Sequence, residues 1–209
     1  MILLGNHASP FTRKVRVLSA ELGVDPQIEF QDPGALSPLI PNDVLVAAHP
    51  LGKMPILQLG DGTSLHDSRV ICEYLNAEAD GDLFPEEPAF RWQALSLQAL
   101  ADGLMDAAVA TRYELSFREA DATRSRWIER QVGRIQNAVS HMNGIAVAFA
   151  HRLTIGEISA ACALGYLDFR FAEISWRAEN PELAGWFETF AKRPSMTSTP
   201  PNPNQKKRG

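Results

Sequence analysis

A proline and an acid–serine pair are the residues of this chain whose types and spacing could form a binding site. Met54-Pro55 stands at the start of a predicted strand, and Asp67-Ser68 opens an apolar helix further along. Because proline has no N–H, the backbone just before it is free to pair with a ligand, and a cis bond there would be typical of a functional site. The helix start offers a carboxylate, a hydroxyl and unpaired N–H groups at the positive end of a helix dipole. Such a pair is also a common helix cap, and out of context the cap is favoured over a ligand site. Together these segments predict a receptor for an extended peptide that carries an ammonium and a carboxylate at one end.

Ser9, which precedes Pro10 at the start of another predicted helix, could donate a hydrogen bond to a reactive group. Serine before proline is also a common helix N-cap, and the position alone favours the cap. The window Ser9-Pro10-Phe11-Thr12 has no cysteine where a thioredoxin-like redox enzyme would carry Cys-x-x-Cys. Disulfide exchange through a protein thiolate is therefore not expected at this turn.

The first eighty residues alternate strand and helix patterns in the order β-α-β-α-β-β-α. Strands are predicted over 1–6, 27–32, 54–59 and 63–66, with helices over 9–23, around 44–49 and over 67–77. The turn Gly60-Asp61-Gly62 predicts an antiparallel hairpin between the last two strands. This order, with a proline before the third strand, predicts a thioredoxin-like α/β domain with a mixed four-stranded sheet.

Beyond a Pro- and acid-rich stretch, every strong pattern is helical. Apolar residues at helical spacing run along 128–146, and a second stripe begins at Ile155. Thr154 and Glu157 form a capping-box pattern at the start of that second helix. The predicted organisation is a first domain over 1–79, a linker over 80–88 and an all-α helical-bundle domain over 89–209, with 198–209 as a disordered tail.

Composition narrows the class of protein. The net charge of −5 and the pI near 5.5 argue against a nucleic-acid partner. No run of eighteen apolar residues is present and the N-terminus lacks a secretory pattern, so we expect neither a membrane span nor export. Cys72 and Cys162, in apolar helical contexts, are expected to be small buried hydrophobes in a reducing cytoplasm, and the histidines show no metal-ligand spacing.

Over nearly its whole length the sequence resembles the glutathione transferase family, most closely its bacterial serine-type (beta-, theta- or tau-like) members. Four segments carry the resemblance in order: ASPFTRKVRVLSAELG, HPLGKMPILQLGDGTSLHDSRVICEYL, LADGLMDA and LTIGEISAACALGYLDFR. The family's usual acid in the last segment is Asp, and Glu157 stands in its place. The resemblance implies a cytoplasmic homodimer that uses glutathione as a co-substrate, without a metal, against a hydrophobic electrophile.

The resemblance also implies roles for individual residues. Ser9 would donate a hydrogen bond to the glutathione sulfur and stabilise the thiolate. Glutathione itself would be bound by Phe11, Lys53, Met54, Pro55, Asp67 and Ser68. Met105, Val109 and Tyr113 would line the second-substrate pocket, although such a stripe is more often part of a helix core than of a pocket. Conjugation is the default reaction, with peroxide reduction or dehalogenation as variants; the alternative is a non-catalytic interaction or ligand-binding protein with the same fold.

Overall fold

The computed structural model describes residues 1–150 and 152–201 and divides into two units. The first unit comprises Met1–Phe84 and the segment from Pro194 onward, and the second comprises Pro85–Arg193. The observed boundary falls within the predicted linker at 80–88. The segment from Pro194 groups with the first unit, whereas the prediction assigned every residue after 88 to the helical domain.

The first unit contains a four-stranded mixed sheet. Its strands are β1 (Ile2–Leu4), β2 (Glu29–Gln31), β3 (Ile56–Gln58) and β4 (Ser64–Leu65), in the spatial order β2-β1-β3-β4. β1 and β2 are parallel, while β3 is antiparallel to both β1 and β4. This topology confirms the predicted thioredoxin-like arrangement, and the predicted hairpin joins β3 to β4.

Three helices complete this half of the chain: α1 (Pro10–Glu21), α2 (Asp43–Ala48) and α3 (Ser68–Glu78). Each begins after a residue whose side chain accepts a backbone N–H bond, namely Ser9, Asn42 and Asp67. A 3-10 turn (Asp25–Gln27) follows α1. α1 and α3 pack against each other. The predicted helix stop at Gly23 is confirmed, because that residue adopts a φ of 70°, which glycine tolerates best.

The described part of the second unit is built of helices joined by short connections. It contains α4 (Pro88–Phe117), α5 (Ala122–Ile145), α6 (Ile155–Arg170), α7 (Trp176–Glu179) and α8 (Pro181–Phe190), with 3-10 turns at Ala146–Ala150 and Ala172–Ile174. The predicted capping box is present at the start of α6, where Thr154 and Glu157 exchange hydrogen bonds with backbone N–H groups. α6 is buried from Ile155 to Leu167 and packs along α4. No helix in the described part of the chain is long and apolar enough to cross a membrane.

The segment from Pro194 returns to the first unit because it packs on α1. Its short helix α9 (Pro194–Thr197) presents the carbonyl of Met196 to the Arg13 guanidinium, 3.3 Å away, and the Ser195 hydroxyl donates to the Glu21 carboxylate. Thr199 is buried and donates to the Ser195 carbonyl. The prediction of a tail from residue 198 is therefore wrong for 198–201, and the remaining 202–209 lie outside the described residues.

Candidate functional site

The strand register brings three loops to one edge of the sheet. Leu4, at the end of β1, pairs with Ile56 at the start of β3. Leu57 of β3 pairs with Leu65 at the end of β4. Because β3 is antiparallel to both neighbours, the end of β1, the start of β3 and the end of β4 share an edge. The segments that contain Ser9, Met54-Pro55 and Asp67-Ser68 adjoin these three strand ends, so they lie next to one another at this edge of the sheet.

Ser9 is fixed in the loop between β1 and α1. The buried side chain of Asn6 accepts hydrogen bonds from the N–H groups of Ala8 and Ser9, at 3.1 and 2.9 Å. The Ser9 hydroxyl oxygen in turn accepts from the Thr12 N–H at 3.2 Å, as the predicted N-cap. That bond uses an oxygen lone pair, so the hydroxyl hydrogen can be donated to a ligand. Asn6 was not singled out in the sequence, although asparagine is typical of such turns.

His7 does not form a pair with Ser9. Its Nδ1 lies 3.0 Å from an Arg16 guanidinium nitrogen, and its ring stacks at a tilt on Phe30, 4.8 Å between centroids. Burial lowers the pKa of His7, and the positive charge of Arg16 lowers it further. The imidazole thus packs between α1 and β2 and does not act as a base for Ser9.

The Met54–Pro55 peptide bond is cis. The Met54 side chain packs against the small apolar cluster of Leu4, Leu45 and Ile56. Its backbone N–H and C=O form no hydrogen bond with another described residue. The side chain is therefore part of the core, while the backbone remains able to pair with an extended ligand, as the missing proline N–H predicts. Lys53, one residue earlier, is exposed.

Asp67 and Ser68 begin α3 as predicted, and Arg69 joins them. One oxygen of the Asp67 carboxylate accepts from the Arg69 N–H at 2.9 Å, and the other contacts the Arg69 guanidinium at 2.9 Å. Burial acts to raise the pKa of Asp67, but the Arg69 bonds and the charges of Arg69 and Lys14 outweigh it and lower this pKa. Ser68 is almost fully buried beside it. The His66–Asp67 peptide bond is also cis.

Lys14 is an unexpected charge near this site. It is fully buried on α1, and its ammonium lies 5.9 Å from the centre of the Phe11 ring. Its positive charge reaches Asp67 on α3. The family resemblance assigns Phe11 to the ligand, but nothing in the sequence points to Lys14, because lysine inside an amphipathic pattern is usually solvated.

His49 and His66 form a second feature that the sequence did not indicate. Their rings lie 3.3 Å apart between centroids, and His49 Nδ1 accepts from the Leu51 N–H at 3.2 Å. Burial lowers the pKa of His49, and the charge of His66 adds to this effect. The pair links the loop before β3 to the end of β4. Within residues 1–150 and 152–201, no group of three or more His, Cys, Asp and Glu could hold a metal ion.

The residues expected to line a second pocket lie on α4 in the helical unit. Met105 is fully buried in that unit's core, Val109 is half-buried and Tyr113 is exposed, with its ring edge-on to Phe117 at 6.1 Å. On the same helix, Asp102 is buried and Asp106 is exposed, and both interact with other residues. The stripe therefore runs from the core to the surface as α4 approaches its C-terminus.

Comparisons with known proteins identify the same family over most of the chain. Residues 8–78 match the family model of the glutathione S-transferase N-terminal domain, and residues 125–189 match that of the C-terminal domain. The uncharacterized GST-like protein YibF of Escherichia coli is 30% identical over 205 residues, which cover 96% of this chain and 98% of YibF.

Solved structures show the same similarity. A glutathione transferase family member from Pseudomonas fluorescens, crystallised with bound glutathione, is 42% identical with a TM-score of 0.93, over 96% of this chain and 98% of that one. Another structure of a family member from that organism, with bound S-(propanoic acid)-glutathione, is 41% identical with a TM-score of 0.88, over 97% and 100% of the two chains.

Proposed function

The chain belongs to the glutathione transferase family, and on that premise we propose that it activates the glutathione thiol for attack on a hydrophobic electrophile. The observation that carries this proposal is the convergence of the three loops on one sheet edge. A hydroxyl on one loop, a free backbone on the second and a carboxylate on the third match the parts of an extended peptide with a thiol in its middle.

Each loop binds a different part of glutathione in this proposal. The Met54 backbone, just before Pro55, pairs with the cysteinyl residue as an added strand pairs with a sheet edge. Asp67 binds the γ-glutamyl ammonium, and Ser68 binds the adjacent carboxylate with its hydroxyl and N–H at the start of α3. Lys53 reaches the glycyl carboxylate, and Phe11 contacts the ligand from α1.

Ser9 supplies the chemical step. Its hydroxyl donates a hydrogen bond to the sulfur and favours the thiolate, which is the nucleophile. An unperturbed thiol has a pKa of about 8.5, and each unit of depression corresponds to about 1.4 kcal/mol of preference for the anion. The positive end of α1 acts in the same direction. In conjugation, the thiolate forms a carbon–sulfur bond and the leaving group departs with the electron pair of the bond that breaks.

Relatives of known structure support this proposal. Two structures of family members from Pseudomonas fluorescens were crystallised with glutathione or with glutathione that carries a propanoic acid group on sulfur. The second ligand is a sulfur-substituted glutathione, the kind of compound that thiolate attack on carbon produces. Peroxide reduction and thiolytic dehalogenation would begin from the same thiolate.

The test is the pH profile of turnover with glutathione and 1-chloro-2,4-dinitrobenzene. Ser9→Gly removes the hydroxyl but costs a helix start only a few tenths of a kcal/mol, so the fold is kept. We expect the apparent pKa of kcat/KM to rise by about one unit, which lowers the rate about tenfold below neutral pH and leaves it nearly unchanged at high pH. Asp121→Gly, which removes the N-cap of α5 in the helical unit, is the matched control and should leave the profile unchanged.

Two outcomes would contradict the proposal in different ways. An unchanged profile in Ser9→Gly would limit Ser9 to its helix-cap role. Retention of the wild type on a glutathione resin without turnover across a panel of electrophiles would favour the non-catalytic binding protein instead.

We also propose that the protein is a cytoplasmic homodimer. Phe90 and Trp92 on α4 are 53% and 65% exposed, and a second copy would remove such apolar surface from water. Cys72 and Cys162 are buried and form no disulfide, which fits a reducing compartment. Light scattering on the purified protein, with Trp92→Glu as the variant that should weaken association, tests the dimer.

A further inference from the structure

A pair of arginines lies at the same level of two packed helices in the helical unit. Gly156, near the start of α6, lies against Ala94 and Leu97 of α4, so closely that an added Cβ would be 2.9 Å from the Ala94 carbonyl oxygen. α4 and α6 pack along each other, and further along both helices the charge of Arg112 reaches Tyr166. Two such contacts in the same order indicate that the helices run in the same direction, each rising about 1.5 Å per residue. Arg170 follows Gly156 on α6 by nearly the same number of residues as Arg112 follows Leu97 on α4. The two arginines therefore lie at about the same height along the packed helices.

Two tyrosines accompany the arginines. Tyr113 follows Arg112 on α4, and Tyr166 lies one turn before Arg170 on α6. Burial raises the pKa of Tyr166 to about 12, although the charges of Arg170 and Arg112 act against this rise, so its hydroxyl stays protonated at neutral pH. Burial lowers the pKa of Arg170, and the charge of Arg112 contributes to the lowering. The four side chains thus share one electrostatic environment, which we call the Arg112–Arg170 cluster.

The cluster is rich in hydrogen-bond donors and has no carboxylate partner among the described residues. Neither Arg112 nor Arg170 forms an ion pair with any carboxylate of residues 1–150 and 152–201. Arg112 donates to the Ser116 hydroxyl one turn further along α4, and Arg170 stacks on the Phe169 ring at 3.9 Å. Neighbouring arginines behave differently, since Arg118 pairs with Glu114 at 3.2 Å.

Half-buried guanidinium groups that repel each other are stabilised by an anion between them. A guanidinium binds a carboxylate with two parallel hydrogen bonds, and the tyrosine hydroxyls can donate further bonds to the same group. Arg112 lies one turn beyond Val109 on α4, so the cationic cluster continues the stripe proposed to contact the second substrate. A ligand that occupies both parts would have an apolar body and a negative end.

We propose that the Arg112–Arg170 cluster binds the carboxylate of the electrophilic second substrate. The proposal rests on the proposed function and narrows its substrate class to apolar electrophiles that carry a carboxylate group. Arg112 and Arg170 are specificity-determining residues in this view, while glutathione and its thiol are bound by the other unit of the chain.

The experiment compares two electrophiles of similar shape and different charge, 4-chloro-3-nitrobenzoate and 4-chloro-3-nitrobenzamide, with each rate taken relative to the uncatalysed reaction with glutathione. We expect the wild type to prefer the benzoate. In Arg112→Gln and Arg170→Gln, kcat/KM for the benzoate should fall about ten- to a hundredfold, the range expected when a charged hydrogen-bond partner is lost. The amide rate and the KM for glutathione should stay within about twofold. Arg126→Gln is the matched control, because Arg126 is an exposed residue of α5 whose side chain donates to a backbone carbonyl of its own helix.

Several results would overturn the proposal. Equal losses of kcat/KM for both electrophiles would leave the preference for the benzoate unchanged and would assign the arginines to folding. A raised KM for glutathione would place a carboxylate of glutathione at the cluster. If neither electrophile is turned over, the proposed function fails. Calorimetric titration with the benzoate then tests separately whether the Arg112–Arg170 cluster binds a carboxylate. Binding that is weakened in Arg170→Gln would support the site, and equal binding by wild type and variant would exclude it.

Discussion

Replacing Asp67 by asparagine separates the two roles proposed for this residue. The carboxylate caps α3 through the Arg69 N–H, and it is also proposed to bind the ammonium of glutathione. Asparagine caps a helix about as well as aspartate, so Asp67→Asn keeps the first role and removes only the charge. The guanidinium of Arg69, 2.9 Å from the carboxylate in the structure, would then lose the negative charge of Asp67 beside an incoming ammonium.

Asp67→Asn is expected to change the free energy of unfolding much less than the free energy of glutathione binding. The side chains of Asp67 and Arg69 are 50% and 60% exposed, so their ion pair contributes at most about 1 kcal/mol to folding. Loss of a charged hydrogen bond to a ligand costs about 1.5–3 kcal/mol, which raises the Kd about ten- to a hundredfold. Repulsion between the ammonium and the Arg69 charge, which Asp67 no longer offsets, adds to this loss. We therefore expect a melting temperature close to that of the wild type together with much weaker glutathione binding.

Calorimetric titration of glutathione at neutral pH measures the effect, with Asp121→Asn at the N-cap of α5 as the matched control. Arg69→Gln provides the second arm: Asp67→Asn should weaken binding less in that background, because the repulsion is absent. Since the pKa of Asp67 is lowered, its contribution to binding should persist as the pH falls to about 4, near the ordinary aspartate value. A Kd within twofold of the wild type in a folded Asp67→Asn protein would refute the assignment of the ammonium to this carboxylate.

Three further predictions concern the framework. Gly156→Ala should destabilise the protein by about 1–3 kcal/mol in urea unfolding, because its Cβ would meet the Ala94 carbonyl, whereas Gly133→Ala on α5, where nothing lies within 4 Å, should be neutral or stabilising. Glu157→Gln should be at least as stable as the wild type at neutral pH, because burial raises the pKa of Glu157 and penalises its charge, while Glu157→Ala should lose about 1–2 kcal/mol with the capping box; equal losses would contradict this. Because the folded-state pKa of His49 is lowered, its stabilising contribution is present above about pH 6.5 and is lost below it, so the wild-type melting temperature should fall more steeply than that of His49→Asn between pH 7 and 5.5. Parallel pH profiles of the two proteins would exclude His49 as the source.

Local signals predicted most of the framework. The helix starts at Ser9, Asp67 and Thr154 were predicted from cap residues, which act within three or four positions of their own helix. The order of strands and helices along the first unit, and with it the thioredoxin-like arrangement, followed from the alternation of elements and from the proline before β3. These features depend on neighbours in sequence, so one sequence is enough to identify them.

Long-range contacts account for what the sequence missed. The return of the segment from Pro194 to α1 depends on Arg13 and Glu21, more than 170 residues earlier, and no periodic pattern reports such a pairing. The contact between His49 and His66 likewise joins the loop before β3 to the end of β4. Burial of Met105 depends on which face of α4 packs against the rest of the helical unit. The helical period predicts a row of apolar residues along α4, but it does not predict which part of that row faces the core.

The helix-cap and ligand-binding interpretations of Ser9 and Asp67 compete in the sequence but not in the structure. Both side chains accept a backbone N–H bond at a helix start, and both retain bonding capacity beyond the cap. For Ser9 that capacity is a hydroxyl hydrogen, which can stabilise an anion; for Asp67 it is a negative charge, which can stabilise a cation. The cap fixes each oxygen in place before a ligand arrives, so little further ordering is required on binding. A residue that is already held as a cap is therefore well suited to bind a ligand, and substitutions that preserve the cap while removing the hydroxyl or the charge test that second role alone.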